Sequence, residues 1–127
     1  PVFHLGYITD KHTQALAYSA ADLFLFPSRA DNFPNVALES LACSTPVVSF
    51  AVGGIPEQVR PGVTGYLAQP EDVNDFCKGI THILDSPQLL NDMKQNCRAI
   101  AIQEYRFELY VQRHIDLYKS LSKTAKV

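Results

Sequence analysis

Two rhythms of apolar and polar residues alternate along the chain. Short apolar runs at residues 2–5, 23–26 and 46–50 end at Gly6, Pro27 and Gly53-Gly54, as short buried strands do. Between them the spacing is helical. Asp10 stands as an N-cap before an Ala- and Leu-rich helix over 11–21, and 36–42 is helical in composition. Pro56 opens a short helix, and 62–70 reads as a turn and a short strand. After Glu71 the strand signals stop. Val73, Phe76, Ile80, Ile83 and Leu84 mark one amphipathic helix. Ser86-Pro87 caps and starts a second, which runs through Met93 to about Ile102. Phe107, Val111, Ile115 and Tyr118 mark a third, whose stripe is expected to join the core, and the basic tail after Leu121 is expected to fray. Strands alternating with helices predict an α/β fold built on a parallel sheet. Such sheets bind ligands beyond the carboxyl ends of their strands, which singles out the loops at 28–35 and 51–56.

Composition narrows the function classes. The 127 residues are 46% hydrophobic and 19% charged, with net charge −2, which suits one soluble domain with a real core. The lysines and arginines are scattered, so no basic stripe points to nucleic acid or an anionic membrane. No apolar run approaches the ~18 residues of a membrane span. Cys43, Cys77 and Cys97 form no C-x-x-C pair and read as reduced thiols of a cytosolic protein. His4, His12, His82 and His114 lack metal-ligand spacing, so no metal is expected. The chain enters an apolar segment at once, at Pro1-Val2-Phe3, with no initiator Met or leader, which suggests a piece of a longer protein.

The loop at 28–35 carries the chemistry. Either Asn35 is the N-cap of the following helix or Pro34 sits at N1. In both cases the first-turn amides around Val36 and Ala37 lack helical acceptors and present the positive end of the dipole, a natural seat for a phosphate. Glu39 lies in or just past the first turn, and helical side chains lean toward the N-terminus. Its carboxylate is suited to a vicinal diol such as a ribose. Asp31, upstream on the loop, suits a sugar hydroxyl on another part of the same ligand. The plainer reading is equally available: a first-turn Glu gains about 0.3–1 kcal/mol from the dipole alone, and Asp and Asn make turns. In the second loop Gly53 and Gly54 allow close backbone approach to a ligand or positive φ. Glu57 either points into the cleft or lies on the surface. P-loop, Rossmann-turn and nucleophile-elbow motifs are missing.

The stretch ADLFLFPSRADNFPNVALESLACSTPVVSFAVGGIPEQVRPGVTGYLAQPED resembles the C-terminal, donor-binding lobe of GT-B retaining glycosyltransferases of family 4, group 1. HLGYITDKHTQALAYSAADLF is similar to the preceding strand–helix unit, and RFELYVQRHIDLYKSL to the terminal helices. The resemblance implies a partial Rossmann-like sheet flanked by helices, with a helical C-terminal tail. It makes residues 1–127 an incomplete nucleotide-sugar-binding lobe whose partner, the N-terminal acceptor lobe, lies elsewhere, so that this chain alone is an inactive fragment. Glu39 matches the glutamate that holds the donor ribose, and Asp31 the acid that contacts the donor sugar near the reaction centre. Asn32, Phe33, Pro34, Asn35 and Val36 match the loop that approaches sugar and diphosphate, with Ala37, Gly53 and Gly54 beside it. The implied reaction moves a sugar from a nucleotide-diphosphate donor to a glycan or lipid-linked acceptor with retention, in surface polysaccharide or glycolipid synthesis. It needs no metal or other cofactor. The implied location is cytoplasmic, with peripheral contact at the inner membrane face as a variant. The sequence departs from the pattern in three places: Asp31 replaces a Glu, Asn32 and Pro34 replace glycines, and Ser44 replaces the Gly of a Cys-Gly-Thr-Pro turn. The alternatives are a non-catalytic nucleotide-binding or scaffold module with this fold, a sugar-nucleotide epimerase, a phosphorylase, and a flavodoxin-like receiver or redox domain.

Overall fold

The computed structural model describes residues 1–124. In chain order it contains α1 (Lys11–Ala20), β1 (Phe24–Phe26), α2 (Asn35–Ala42), β2 (Val47–Phe50), α3 (Ile55–Gln58), β3 (Gly65–Ala68), α4 (Val73–Leu84), α5 (Pro87–Tyr105) and α6 (Phe107–Thr124). The three strands form one parallel sheet in the order β1-β2-β3, with Phe24 opposite Val47 and Val47 opposite Gly65. The expected α/β architecture is therefore present.

The central strand explains the layering. All four residues of β2 are buried, so its alternating side chains feed two cores. Val47 packs with Leu41, Ile55, Val59, Cys97 and Ala101, which come from α2, α3 and α5 and from the residue that ends α3. Val48 and Phe50 pack with Ala68, Phe76, Ile83 and Met93 on the opposite face, covered by α4 and the start of α5. Two helix starts follow the sequence signals, Asp10 and Ser86 accepting from the amides of Thr13 and Leu89, and Asp72 caps α4 in the same way by accepting from Asp75. The helix that opens at Pro87 runs to Tyr105, beyond the expected end near Ile102.

Two expectations fail. Residues 2–5 form no strand, and Val2, Phe3 and Leu5 are exposed. A strand needs a neighbour to take its amides and carbonyls, and among the described residues none pairs with this run. The apolar stripe of α6 does not enter the core either. Arg106 is extended between α5 and α6 (φ −63, ψ 148), so α6 does not continue α5, and Phe107 and Tyr118 remain 73% and 66% exposed. The rings of Tyr110, His114 and Tyr118 instead pack on one another at tilted angles along α6. Beyond Leu121 the helix continues to Thr124, and the rest of the tail expected to fray lies outside the described residues.

The end of α2 carries an unusual residue. The amide of Thr45 donates to the carbonyl of Ser40 and that of Ser44 to Leu41, the two bonds of a Schellman cap. The residue that must be left-handed there is Ser44, at φ 63. The departure from glycine read in the sequence is thus a residue held in a costly conformation.

Candidate donor site at the carboxyl edge of the sheet

Strands β1 and β2 are parallel neighbours, so the loops that follow them emerge side by side. Ser49 donates to the last carbonyl of β1, Phe26, at 2.7 Å. In the first loop the Asp31 carboxylate accepts from the Phe33 amide at 3.2 Å, an Asx turn. Asn32 is exposed, and Phe33 leans on Tyr105 of α5 with ring centroids 6.3 Å apart. Pro34 is buried and is the N-cap of α2, so Asn35 is the first helical residue rather than the cap.

This placement decides which amides are free. Pro34 has no N–H, and the Ala37 amide donates to the Pro34 carbonyl at 3.3 Å. The amides of Asn35 and Val36 have no acceptor among the described residues. The free first-turn amides are therefore Asn35 and Val36, one residue before the expected pair of Val36 and Ala37. Two adjacent donors at the positive end of α2 can hold one oxyanion.

Gly53 and Gly54 let the first loop come close, and Gly53 takes the positive φ that the sequence offered. A Cβ on Gly53 would lie 1.8 Å from the Asp31 carbonyl oxygen, and one on Gly54 1.9 Å from that of Asn32. Gly53 also has φ +53. The Gly54 amide donates to the Asp31 carbonyl at 3.3 Å. What comes close to these glycines is the first loop, and the pair wedges that loop in place. Glu57 lies on the surface, and its carbonyl accepts from the Tyr105 hydroxyl at 3.1 Å.

Glu39 is the fifth residue of α2 and half-buried. Its carboxylate accepts from Gln14 at 3.0 Å and lies 3.4 Å from the Lys11 amine, both on α1. With Lys11, Gln14, Ala15, Tyr18, Ala42 and Cys43 it lines a cavity of about 170 Å³. Burial, and then the nearby Glu39 carboxylate, push the Tyr18 phenol above its ordinary range. Asp31 lines neither of the two cavities to which Glu39 contributes. The two acids thus stand apart, Asp31 on the loop before α2 and Glu39 turned toward α1.

Three neighbours escaped the sequence reading. Lys11 and Gln14 share one face of α1 at i and i+3, but nothing local says that this face meets Glu39. Gln58 is fully buried and donates to the Pro34 carbonyl at 3.2 Å. A lone Gln in a one-turn helix has no periodicity to reveal it. Among the described residues no three His, Cys, Asp or Glu gather as a metal site, and no helix is long and apolar enough to cross a membrane.

Known proteins are similar to this chain in sequence and fold. The family model for glycosyl transferases group 1 matches residues 1–100. D-inositol 3-phosphate glycosyltransferase of Geodermatophilus obscurus is 42% identical over 89 residues, covering 68% of this chain and 20% of that protein. The enzyme of the same name from Mycolicibacterium smegmatis is 47% identical over 68 residues, 54% of this chain and 16% of that protein. The chain therefore spans about a fifth or less of the curated relatives it matches. Among solved structures, sucrose-phosphate synthase from Thermosynechococcus elongatus superposes with TM-score 0.85 and 34% identity, over 95% of this chain and 30% of that one. Anabaena HepE in complex with UDP-glucose superposes with TM-score 0.76 and 28% identity, over 82% of this chain and 29% of that one. With the family model covering most of its length, and with this sheet, loop pair and capped helix in place, the chain belongs to the group 1 glycosyl transferases, in a lobe of the GT-B type.

Proposed function

We propose that this chain is the donor-binding part of a retaining glycosyltransferase that moves a sugar from a nucleotide-diphosphate sugar to a glycan or lipid-linked acceptor. The observation that carries the reading is the pair of free amides, Asn35 and Val36, opening α2 at the carboxyl edge of β1 between Asp31 and Glu39. The amides hold the diphosphate and stabilise its charge as it leaves. Glu39 accepts from the ribose diol and Asp31 from a sugar hydroxyl. No metal or further cofactor takes part. That HepE was crystallised with UDP and with UDP-glucose supports a uridine donor.

In this reading residues 1–127 are one domain, an incomplete donor lobe, and the acceptor is held by an N-terminal lobe. The product is a surface polysaccharide or glycolipid. The enzyme works in the cytoplasm, in peripheral contact with the inner membrane face when its acceptor is lipid-linked. One observation favours a second reading, a non-catalytic nucleotide-binding module: the Asp31 carboxylate already accepts the Phe33 amide.

The test is an NMR titration of the labelled chain with UDP, GDP and ADP, following the amides of Asn35 to Glu39. Shifts with one nucleotide that vanish in Glu39→Ala are expected. Shifts that persist unchanged in Glu39→Ala would remove the ribose role. A failure of sugar transfer by a complete enzyme carrying Asp31→Ala, with UDP affinity retained, separates a catalytic lobe from a binding module.

A further inference from the structure

Resting on the donor-site reading above, we propose that Gln58 is a positioning residue that aims the Asn35 amide at the donor diphosphate. Gln58 is fully buried in the one-turn helix α3. Its amide nitrogen donates to the Pro34 carbonyl at 3.2 Å. The Pro34 carbonyl and the Asn35 N–H belong to one planar peptide unit. A donor that holds the carbonyl therefore fixes the direction in which the N–H points. That N–H is one of the two free amides of the candidate site. The same bond polarises the peptide and makes the N–H a stronger donor.

The other end of Gln58 is the second observation. Its side-chain oxygen is buried and has no hydrogen-bond partner among the described residues. Reversing the amide would set that oxygen against the Pro34 carbonyl, acceptor against acceptor, so the orientation is decided by Pro34. A buried acceptor without a partner costs stability. An apolar side chain of equal length would fill the position without that cost and would lose only the bond to Pro34. Gln58 is thus a poor choice for packing and a good one for orienting a peptide plane. Its own backbone is firmly held: Ile55 and Val59 beside it are fully buried, and Tyr105 of α5 donates to the neighbouring Glu57 carbonyl.

The decisive variant is Gln58→Met, with Gln58→Leu as a second apolar replacement and Gln58→Ala to report the cost of an empty space. Thermal unfolding, amide exchange of the nucleotide-free protein and UDP affinity are read together. Gln58→Met is expected to unfold at the parent temperature or above it. It is expected to slow exchange at Asn35, whose unbonded N–H loses the polarisation that the bond to the Pro34 carbonyl supplies, and to weaken UDP binding about three- to tenfold, the worth of one oriented hydrogen bond. Gln58→Ala is expected to unfold at a lower temperature. The proposal is overturned if Met and Leu keep both UDP affinity and the Asn35 amide exchange, or if both fail to fold, which would make Gln58 a folding residue only. A parent that binds no UDP defeats the donor-site reading instead. Exchange at Asn35 in Gln58→Met then still decides whether Gln58 orients that peptide.

Discussion

Replacing Gly54 by Ala tests the wedge between the two loops. Gly54 has φ −89, where alanine is at ease, so backbone strain contributes nothing. The whole effect comes from the added methyl, which would sit 1.9 Å from the Asn32 carbonyl oxygen and 3.3 Å from the Phe33 ring. Real Cβ atoms stay beyond 3.0 Å, so the Asp31–Asn32 backbone must retreat by more than about an ångström. Overpacking of this kind costs about 1–3 kcal/mol. The retreat also breaks the Gly54 amide bond to Asp31, worth about 1 kcal/mol more. A total of ~2–4 kcal/mol is a large share of the ~5–15 kcal/mol that holds a domain together. Gly62→Ala is the control: its φ is +76 and nothing lies within 4 Å of the added methyl, so it carries only the left-handed cost of ~1–2 kcal/mol. Urea unfolding with a shared slope gives both values. UDP affinity should fall in Gly54→Ala and hold in Gly62→Ala. A Gly54→Ala protein no less stable than Gly62→Ala, with unaltered UDP affinity, would refute the wedge.

Ser44→Gly should stabilise the chain slightly: relief of the left-handed Ser44 conformation, worth ~1–2 kcal/mol, exceeds the ~0.4–1 kcal/mol that a glycine's looser unfolded state takes back, and the urea midpoint should rise. Glu39→Ala should change stability by less than ~1 kcal/mol, because Lys11 is exposed and Glu39 is only half-buried, yet weaken UDP about tenfold or more in a calorimetric titration. Burial pushes the Cys97 thiol up from 9.0 to about 12, so the folded state keeps a proton that the unfolded state loses, and stability falls as pH rises from 9 toward 12. Cys97→Ala should flatten that fall, and a thiol reagent at pH 8 should modify exposed Cys77 first and Cys97 only on unfolding. The Gln69 amide and the Tyr66 hydroxyl hold Asp75 below its ordinary value of 3.8. Its stabilising contribution is therefore present at neutral pH and lost as pH drops below 3.8 through the folded value, and the difference between parent and Asp75→Asn should vanish in acid unfolding.

Much of the local structure was legible because its causes are local. Asp10, Ser86 and Pro87 start helices by bonding to, or dispensing with, amides within a turn of themselves. The unbroken apolar run of β2 could be satisfied only between two packed faces. The order of Asp31, Pro34 and Glu39 placed the candidate site on the loop after β1 and the first turns of α2, where the free amides lie.

What failed were two expectations that needed a distant partner. Residues 2–5 are as apolar as β2 but have no neighbouring strand among the described residues, so composition alone did not make a strand. The α6 stripe has helical spacing and yet faces away from the core, because spacing defines a face and not what covers it. The same division runs through the site. From sequence, Gly53 and Gly54 offered close backbone approach to a ligand or positive φ; the adjacency of β1 and β2 brought their loop against Asp31 and Asn32. Glu39 meets Gln14 and Lys11, and Gln58 meets Pro34, across 24 to 28 residues of chain. By itself the sequence determined most of the elements, the candidate loop and its likeness to a family, since these rest on neighbouring residues and their order. Only the tertiary structure decided which amides are free, which carboxylate has company and which glutamine orients the loop, since hydrogen-bond partners are settled by which strands and helices pack side by side.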